Sequence, residues 1–264
     1  MRNIYLVRHG ESVANLDRAI YGTTPDHAIG LSPRGHDQAV AAGEALAELL
    51  ADQAHEPVRI WTSPYLRTRQ TASHIEAALE GRFARLDKRE HINLCEQQFG
   101  LFDGVPDAEL PQRFPDEHRH YTLAASYEGK FWARMPLGES RFDVAVRVHQ
   151  AFGTFHRDAE RRGIRNIVVV CHGVTLRAFA MQWLHLPYEW FEKQPNPGNC
   201  DILHIDRHND GRYVFEDGRL VNAPRPVGEP AEPTVAVPAA RRGHIRYEGA
   251  GKAHAADSRW SAAV

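Results

Sequence analysis

The chain opens with Ile4-Tyr5-Leu6-Val7-Arg8-His9-Gly10-Glu11-Ser12. A short apolar run of this kind marks a buried strand, and here it breaks off into a cation, an imidazole and a glycine. Glycine lets a backbone turn sharply and approach a ligand. Arg8 and His9 are therefore expected at the carboxyl end of a strand, where open α/β sheets place their ligands. The chain repeats the device at Ile167-Val168-Val169-Val170-Cys171-His172-Gly173. Two apolar runs, each delivering a His-Gly, predict two imidazoles at one edge of one sheet.

Working outward, residues 58–62 read as another short strand and residues 83–94 as a strand with its exit. Ser32-Pro33 opens a helix with a cap and a proline at the first position, with Ala39, Val40, Leu46, Leu49 and Leu50 as its buried stripe. Ser63-Pro64 reads as a second start of that kind. Leu66, Ile75 and Leu79 then point inward, and Arg67 lies in the first turn. Ser140 caps a long helix, in which Phe142, Ala145, Val148, Phe152, Phe155 and Ala159 recur at helical steps. A helix at about 174–185 follows the strand at 165–171. Two last runs, Cys200–Asp206 and Arg212–Glu216, flank His208-Asn209-Asp210-Gly211 as a hairpin. Strands alternating with helices predict an α/β fold with a mostly parallel sheet. Residues 95–137 are irregular, with two short helices around 106–114 and 116–129. Such an insertion belongs over the ligand-binding edge.

With 264 residues the chain suits one large α/β domain or two small ones. A net charge of −2 gives no electrostatic case for nucleic acid or a membrane surface. No apolar run approaches the roughly 20 residues of a membrane span, and no secretory signal pattern opens the chain. Cys95, Cys171 and Cys200 are scattered without a CxxC, which fits a reduced, cytoplasmic protein. From Val221 onward, five prolines and eleven alanines in 44 residues read as a disordered tail, 221–264, after a domain spanning 1–220.

In a parallel sheet Arg8, His9, Arg67 and His172 approach the same edge. Arginine forks match phosphate oxygens, and a neutral imidazole can attack phosphorus to form a phosphohistidine. The other His and the arginines would stabilise the equatorial oxygens of an in-line transition state. The leaving oxygen needs a proton donor. Glu96, in Leu94-Cys95-Glu96-Gln97-Gln98-Phe99-Gly100, is the best candidate, with Glu11 and Glu139 as rivals. Each of these residues alone has a commonplace reading on the surface or at a cap, and 16 histidines lower the weight of any one. The argument lies in their conjunction. Cys171, inside an apolar strand, reads as a packed core thiol. His9 and His172 lack a spaced third ligand, so no metal site is expected. Lys130, Arg134 and His118-Arg119-His120 read as solvated.

Leu6-Val7-Arg8-His9-Gly10-Glu11-Ser12 with Asn15 closely resembles the signature of the histidine phosphatase superfamily, in its phosphoglycerate-mutase-like branch. Leu31-Ser32-Pro33-Arg34-Gly35, residues 62–72 around Arg67, Glu96 with Phe99-Gly100, Pro136-Leu137-Gly138-Glu139-Ser140 and Val170-Cys171-His172-Gly173 match its later motifs in order, over about residues 1–206. The resemblance implies a three-layer α/β/α sandwich with a helical insertion over the active-site edge. It implies His9 as the phosphorylated nucleophile, and Arg8, Arg67 and His172 as the phosphate pocket, helped by Asn15 and the backbone N–H of Gly173. Glu96 would be the acid, then the base. No metal or organic cofactor is implied. The partner expected is a small phosphorylated substrate, with a homodimer allowed. The 21–27 loop, Phe131-Trp132-Ala133-Arg134 and the lack of a mutase-like Arg-Arg pair resemble phosphatase-like members. They favour hydrolysis over phosphoglycerate mutation or a non-catalytic phosphate-binding module.

Overall fold

The computed structural model describes residues 3–83 and 85–227. Strand β1 (Asn3–Arg8) is followed by one short turn of helix, α1 (Val13–Leu16), and by α2 (Pro33–Leu49). Then come β2 (Val58–Thr62), α3 (Leu66–Leu79) and β3 (Leu86–Glu90). The insertion carries α4 (Leu110–Arg113) and α5 (Pro115–Glu128), and α6 (Arg141–Arg162) leads into β4 (Asn166–Cys171). The chain continues through α7 (Gly173–Trp183), α8 (Tyr188–Lys193), β5 (Ile202–Ile205), β6 (Gly211–Glu216) and β7 (Arg219–Pro226).

One seven-stranded sheet has the order β3-β2-β4-β1-β5-β6-β7. Its first four strands are parallel, and β5, β6 and β7 add antiparallel pairings. The alternation of β1 divides the core. Ile4 and Leu6 face one side, with Trp61, Ile167, Val169 and the apolar stripes of α6 and α7. Tyr5 and Val7 face the other, with Ile60, Val168, Val170 and the stripes of α2 and α3. This is the three-layer sandwich. Every residue of β4 is buried, at about 1.5–3 kcal/mol for each large apolar side chain, so its register has no room to slip. Arg8 lies beside Cys171 in that register, and the His9 N–H donates to the Cys171 carbonyl at 3.0 Å. The next residue on each strand is therefore a histidine at the same edge. Since β2 flanks β4, its exit brings α3 and Arg67 to that edge too.

Several local expectations change. Ser63 does not cap a helix: α3 starts at Leu66, with Tyr65 before it and no side-chain cap. Val40, Leu66 and Phe142, expected inside, are exposed; each lies at the margin of its helix's apolar stripe, where packing rather than periodicity decides burial. Ser140 does cap α6, in a capping box with Asp143. A strand, β7, runs past the boundary placed at 220, because it pairs with β6. The remainder of the expected tail, 228–264, lies outside the described residues. No described helix is long and apolar enough to cross a membrane.

Candidate active site

The His9 imidazole is 5% exposed, and its Nδ1 lies 2.7 Å from the Gly10 carbonyl oxygen. A carbonyl only accepts, so Nδ1 carries the proton and Nε2 keeps the lone pair. Burial, then the charges of Arg67 and Arg8, push its pKa well below the ordinary value. His172 is fully buried, with its ring centre 5.2 Å from that of His9. Its Nε2 is 2.9 Å from Ser63 Oγ, and its Nδ1 has no hydrogen-bond partner. Burial and Arg67 lower its pKa in the same direction. The charged form is the disfavoured one, so both rings stay neutral as pH falls to the usual histidine value and below it. The ring resonances that disappear in His9→Gln and His172→Gln should thus not titrate between about pH 8 and about pH 6; titration near 6.5 would contradict this reading.

Gly10 has a different task from the one expected. It is not in the left-handed region. A Cβ there would stand 2.4 Å from the Gly35 carbonyl oxygen, and one on Gly35 would stand 2.0 Å from that of Glu11. The two glycines allow α2 to start against the turn after His9. Thr71 Oγ1 accepts from the Gly10 N–H at 3.1 Å, and Asn199 Nδ2 donates to the His9 carbonyl at 3.1 Å. The loop that carries the imidazole is pinned from both sides.

The arginines are positioned from distant parts of the chain. Arg8 Nη1 donates to the Pro197 carbonyl at 2.6 Å, while its buried Nε has no partner. Arg67 is 3% exposed and grips Asp26 end-on. Its Nη1 donates to the Asp26 carbonyl and to Oδ1, both at 2.7 Å, and its Nη2 to Oδ2 at 3.3 Å. Asp26 thus takes Nη1 and Nη2 and leaves the Nε side of the fork. In the sequence Asp26 stood out only as part of the 21–27 loop that resembles phosphatase-like members, with no role assigned to it. A charge-assisted bond of this kind contributes about 1.5–3 kcal/mol. We expect Asp26→Asn to raise the KM for a phosphate ester and the vanadate needed for half-inhibition by about tenfold, with a smaller change in kcat.

Glu96 lies at the start of α7. Oε1 accepts from the backbone N–H groups of Gln97 at 3.0 Å and Thr175 at 3.3 Å, and from Thr175 Oγ1 at 3.2 Å. Oε2 accepts from the Val174 N–H at 3.3 Å. The charge of Glu96 acts on Arg8. Both rivals are committed elsewhere: Glu11 to Ser32 and Arg34, and Glu139 to Arg147 and the Gln98 N–H. Gly173 is the first residue of α7, where an N–H has no intrahelical acceptor. A Cβ there would meet Asn196 Oδ1 at 2.9 Å. Asn15 is exposed, and its Oδ1 accepts from the Ser12 N–H at 2.9 Å. Cys171 is buried among apolar side chains, and burial pushes its thiol pKa up, as a packed core cysteine requires. Ser63, expected as a helix cap, instead meets His172, and Thr175, which holds Glu96, was not singled out in the sequence.

A cleft of about 640 Å³ opens beside this cluster, lined by Asn15 and Phe99 near the site and by His118, Tyr121, Lys130 and Arg141 farther along. Lys130 is exposed, as expected, and lines the mouth of the cleft, whereas His118, expected to be solvated, is half-buried in it. Phe102, Val105 and Leu110 form the small apolar cluster that holds the insertion in place.

The family profile of the histidine phosphatase superfamily (branch 1) matches residues 4–216. The phosphoglycerate mutase-like protein AT74 of Arabidopsis thaliana is 36% identical over 222 residues, covering 80% of this chain and 67% of the relative. The broad-range acid phosphatase DET1 of Saccharomyces cerevisiae is 26% identical over 300 residues, covering 81% and 88%. Among solved structures, a mycobacterial glucosyl-3-phosphoglycerate phosphatase in complex with VO3 superposes with a TM-score of 0.61 at 25% identity, covering 82% of this chain and 99% of that one. The order of the motifs, the sheet and the paired histidines agree with these matches, and the chain belongs to the histidine phosphatase superfamily.

Proposed function

We propose that this protein is a metal-independent phosphomonoester hydrolase that acts on a small phosphorylated metabolite through a phosphohistidine on His9. The observation that carries the reading is the bond from His9 Nδ1 to the Gly10 carbonyl, in a pocket that keeps the ring neutral. It presents Nε2 as a nucleophile with its lone pair available. Nε2 attacks phosphorus, the bond to the leaving oxygen breaks, and Glu96 gives that oxygen a proton. Water then attacks the phosphohistidine, Glu96 takes a proton from it, and the phosphorus–nitrogen bond breaks to release phosphate and neutral His9. The N–H groups at the start of α7 hold the Glu96 carboxyl in place for both transfers. Arg8, Arg67, His172, Asn15 and the Gly173 N–H hold the phosphoryl oxygens. The unpartnered Arg8 Nε and His172 Nδ1 support this role, since a buried nitrogen without a partner costs about 1–3 kcal/mol until an acceptor reaches it. A reduced, cytoplasmic setting belongs to the same reading and is supported by the three free cysteines.

Hydrolysis is preferred to transfer between positions because two of the relatives are phosphatases by name. The purified chain should hydrolyse 4-nitrophenyl phosphate at undiminished rate in excess chelator and should be inhibited by vanadate. Conversion of 3- to 2-phosphoglycerate with a bisphosphate primer, faster than hydrolysis, would replace the reading with a mutase. Failure to label any histidine with a phosphate ester would leave only a phosphate-binding module.

A further inference from the structure

One guanidinium outside the phosphate pocket commits every donor it has to the stretch around Glu96. Arg147 lies in α6, about two turns after the Ser140 cap. Its Nη1 donates to the carbonyls of Asn93 at 2.9 Å and Cys95 at 2.8 Å. Its Nη2 donates to the Glu96 carbonyl at 3.0 Å and to Glu139 Oε2 at 3.0 Å, and its Nε donates to Glu139 Oε1 at 2.8 Å. An arginine carries its N–H groups in a fixed fork of five, and here each one meets an acceptor. The side chains of Arg147 and Glu139 are only 17% and 20% exposed.

Glu139, a rival for the acid in the sequence, braces the acid's loop instead. Its Oε2 accepts from the Gln98 N–H at 3.0 Å, its own N–H donates to the Gln98 carbonyl at 2.8 Å, and its carbonyl accepts from Gln97 Nε2 at 2.8 Å. A Cβ on Gly138 would stand 2.4 Å from that Gln98 carbonyl, so the two segments touch along their backbones. Thr175 Oγ1 reaches the Cys95 carbonyl as well, at 2.6 Å. Glu96 is therefore held at two ends, its carbonyl by Arg147 and its carboxyl by the start of α7. The N–H contacts to the carboxyl from Val174 and Thr175, at 3.3 Å, lie at the weak end of the hydrogen-bond range. Where the carboxyl stands thus depends on where its backbone stands. A reacting group misplaced by about 1 Å costs on the order of 100-fold in rate.

We propose that Arg147 is a positioning residue for Glu96: it fixes the backbone of residues 93–96 so that the carboxyl stands where the leaving oxygen, and later the attacking water, exchanges its proton. This rests on the phosphatase reading, in which Glu96 is the acid and then the base. Arg147 itself touches no reacting atom and carries no proton in either step. Balancing the charge of Glu139 would need only Nε and Nη2, and a lysine would meet that need. The contacts to the carbonyls of Asn93, Cys95 and Glu96 need the fork.

The test follows Arg147→Met and Arg147→Lys in the full chain, with glycerol 3-phosphate as an alkyl ester and 4-nitrophenyl phosphate as an aryl ester. In Arg147→Met the kcat for the alkyl ester should fall about 30-fold or more. The first-turnover burst from the aryl ester and half-inhibition by vanadate should stay within about threefold. In a Glu96→Gln background the same substitution should change the alkyl kcat by less than about twofold, because the group it positions is already gone. Arg147→Lys should behave like Arg147→Met. Equal losses in both backgrounds, equal losses for both esters, or full activity in Arg147→Lys overturns the proposal. If Arg147→Met does not fold, Glu139→Gln takes its place, with the same pattern expected at about tenfold. Hydrogen exchange at the Val174 and Thr175 amides, which Glu96 protects, reads the position without turnover. It should quicken in Arg147→Met as much as in Glu96→Ala, and unchanged exchange overturns the proposal. If the unsubstituted chain turns over no ester, the phosphatase reading falls and this exchange alone decides the positioning.

Discussion

Replacing His9 with Ala should lower kcat for any phosphate monoester by about 10⁵-fold or more, the scale on which loss of a covalent nucleophile is felt. The size follows from what remains. Arg8, Arg67 and His172 would still gather a phosphate, but no nitrogen would stand where the phosphoryl group must be transferred. His172 cannot substitute, because its Nε2 is engaged with Ser63 Oγ and its ring centre stands 5.2 Å from that of His9. Inhibition by inorganic phosphate should change only a few-fold, since binding and bond formation depend on different groups. The variant gives up one hydrogen bond to the Gly10 carbonyl, about 1 kcal/mol, which is small against the ~5–15 kcal/mol stability of a folded domain. Lost activity would thus not be lost structure, and a melting curve checks this. Incorporation of acid-labile label from a radioactive ester should vanish in the variant. Full activity in His9→Ala, or label persisting on His172, would falsify the assignment.

The second large effect is expected from Glu96→Gln, and its size should depend on the leaving group. General acid catalysis contributes roughly 10²–10⁴-fold, chiefly where the leaving oxygen is strongly basic. An alkyl phosphate should lose most of that factor in kcat. Nitrophenolate leaves without a proton, so formation of the phosphohistidine from an aryl ester should persist. Its hydrolysis should slow, because Glu96 also takes the proton from water. A burst of nitrophenol followed by a slow steady state is the expected trace. Gln keeps the shape but sets an amide against the N–H groups of Val174 and Thr175, and some loss of stability is expected as well. Equal losses for alkyl and aryl esters without a burst would make Glu96 a residue that only shapes the start of α7.

Much of this site could be read before any coordinates. The apolar runs at 4–7 and 167–170 are long enough only for strands, and each ends in His-Gly. Parallel pairing then leaves the two imidazoles little choice of place. The Ser140 cap and the stripe through Phe155 were equally legible, because capping and periodicity act over neighbouring residues. Gly10 has a packing role that the sequence did not announce. Its lack of a side chain answers to Gly35 on another element, and nothing local distinguishes that from a glycine that admits a ligand.

Local burial patterns along the chain set the strands, and those strands bring Arg8, His9, Arg67 and His172 to one edge. The groups that hold them come from packing between distant elements. Asp26 meets Arg67 across 41 positions, Thr175 meets Glu96 across 79, and Ser63 meets His172 across 109. The same packing brings Arg141 to the cleft that Lys130 lines. Such pairings depend on sheet register and helix packing, which arise from the whole core at once, so no periodicity or spacing along the chain records them.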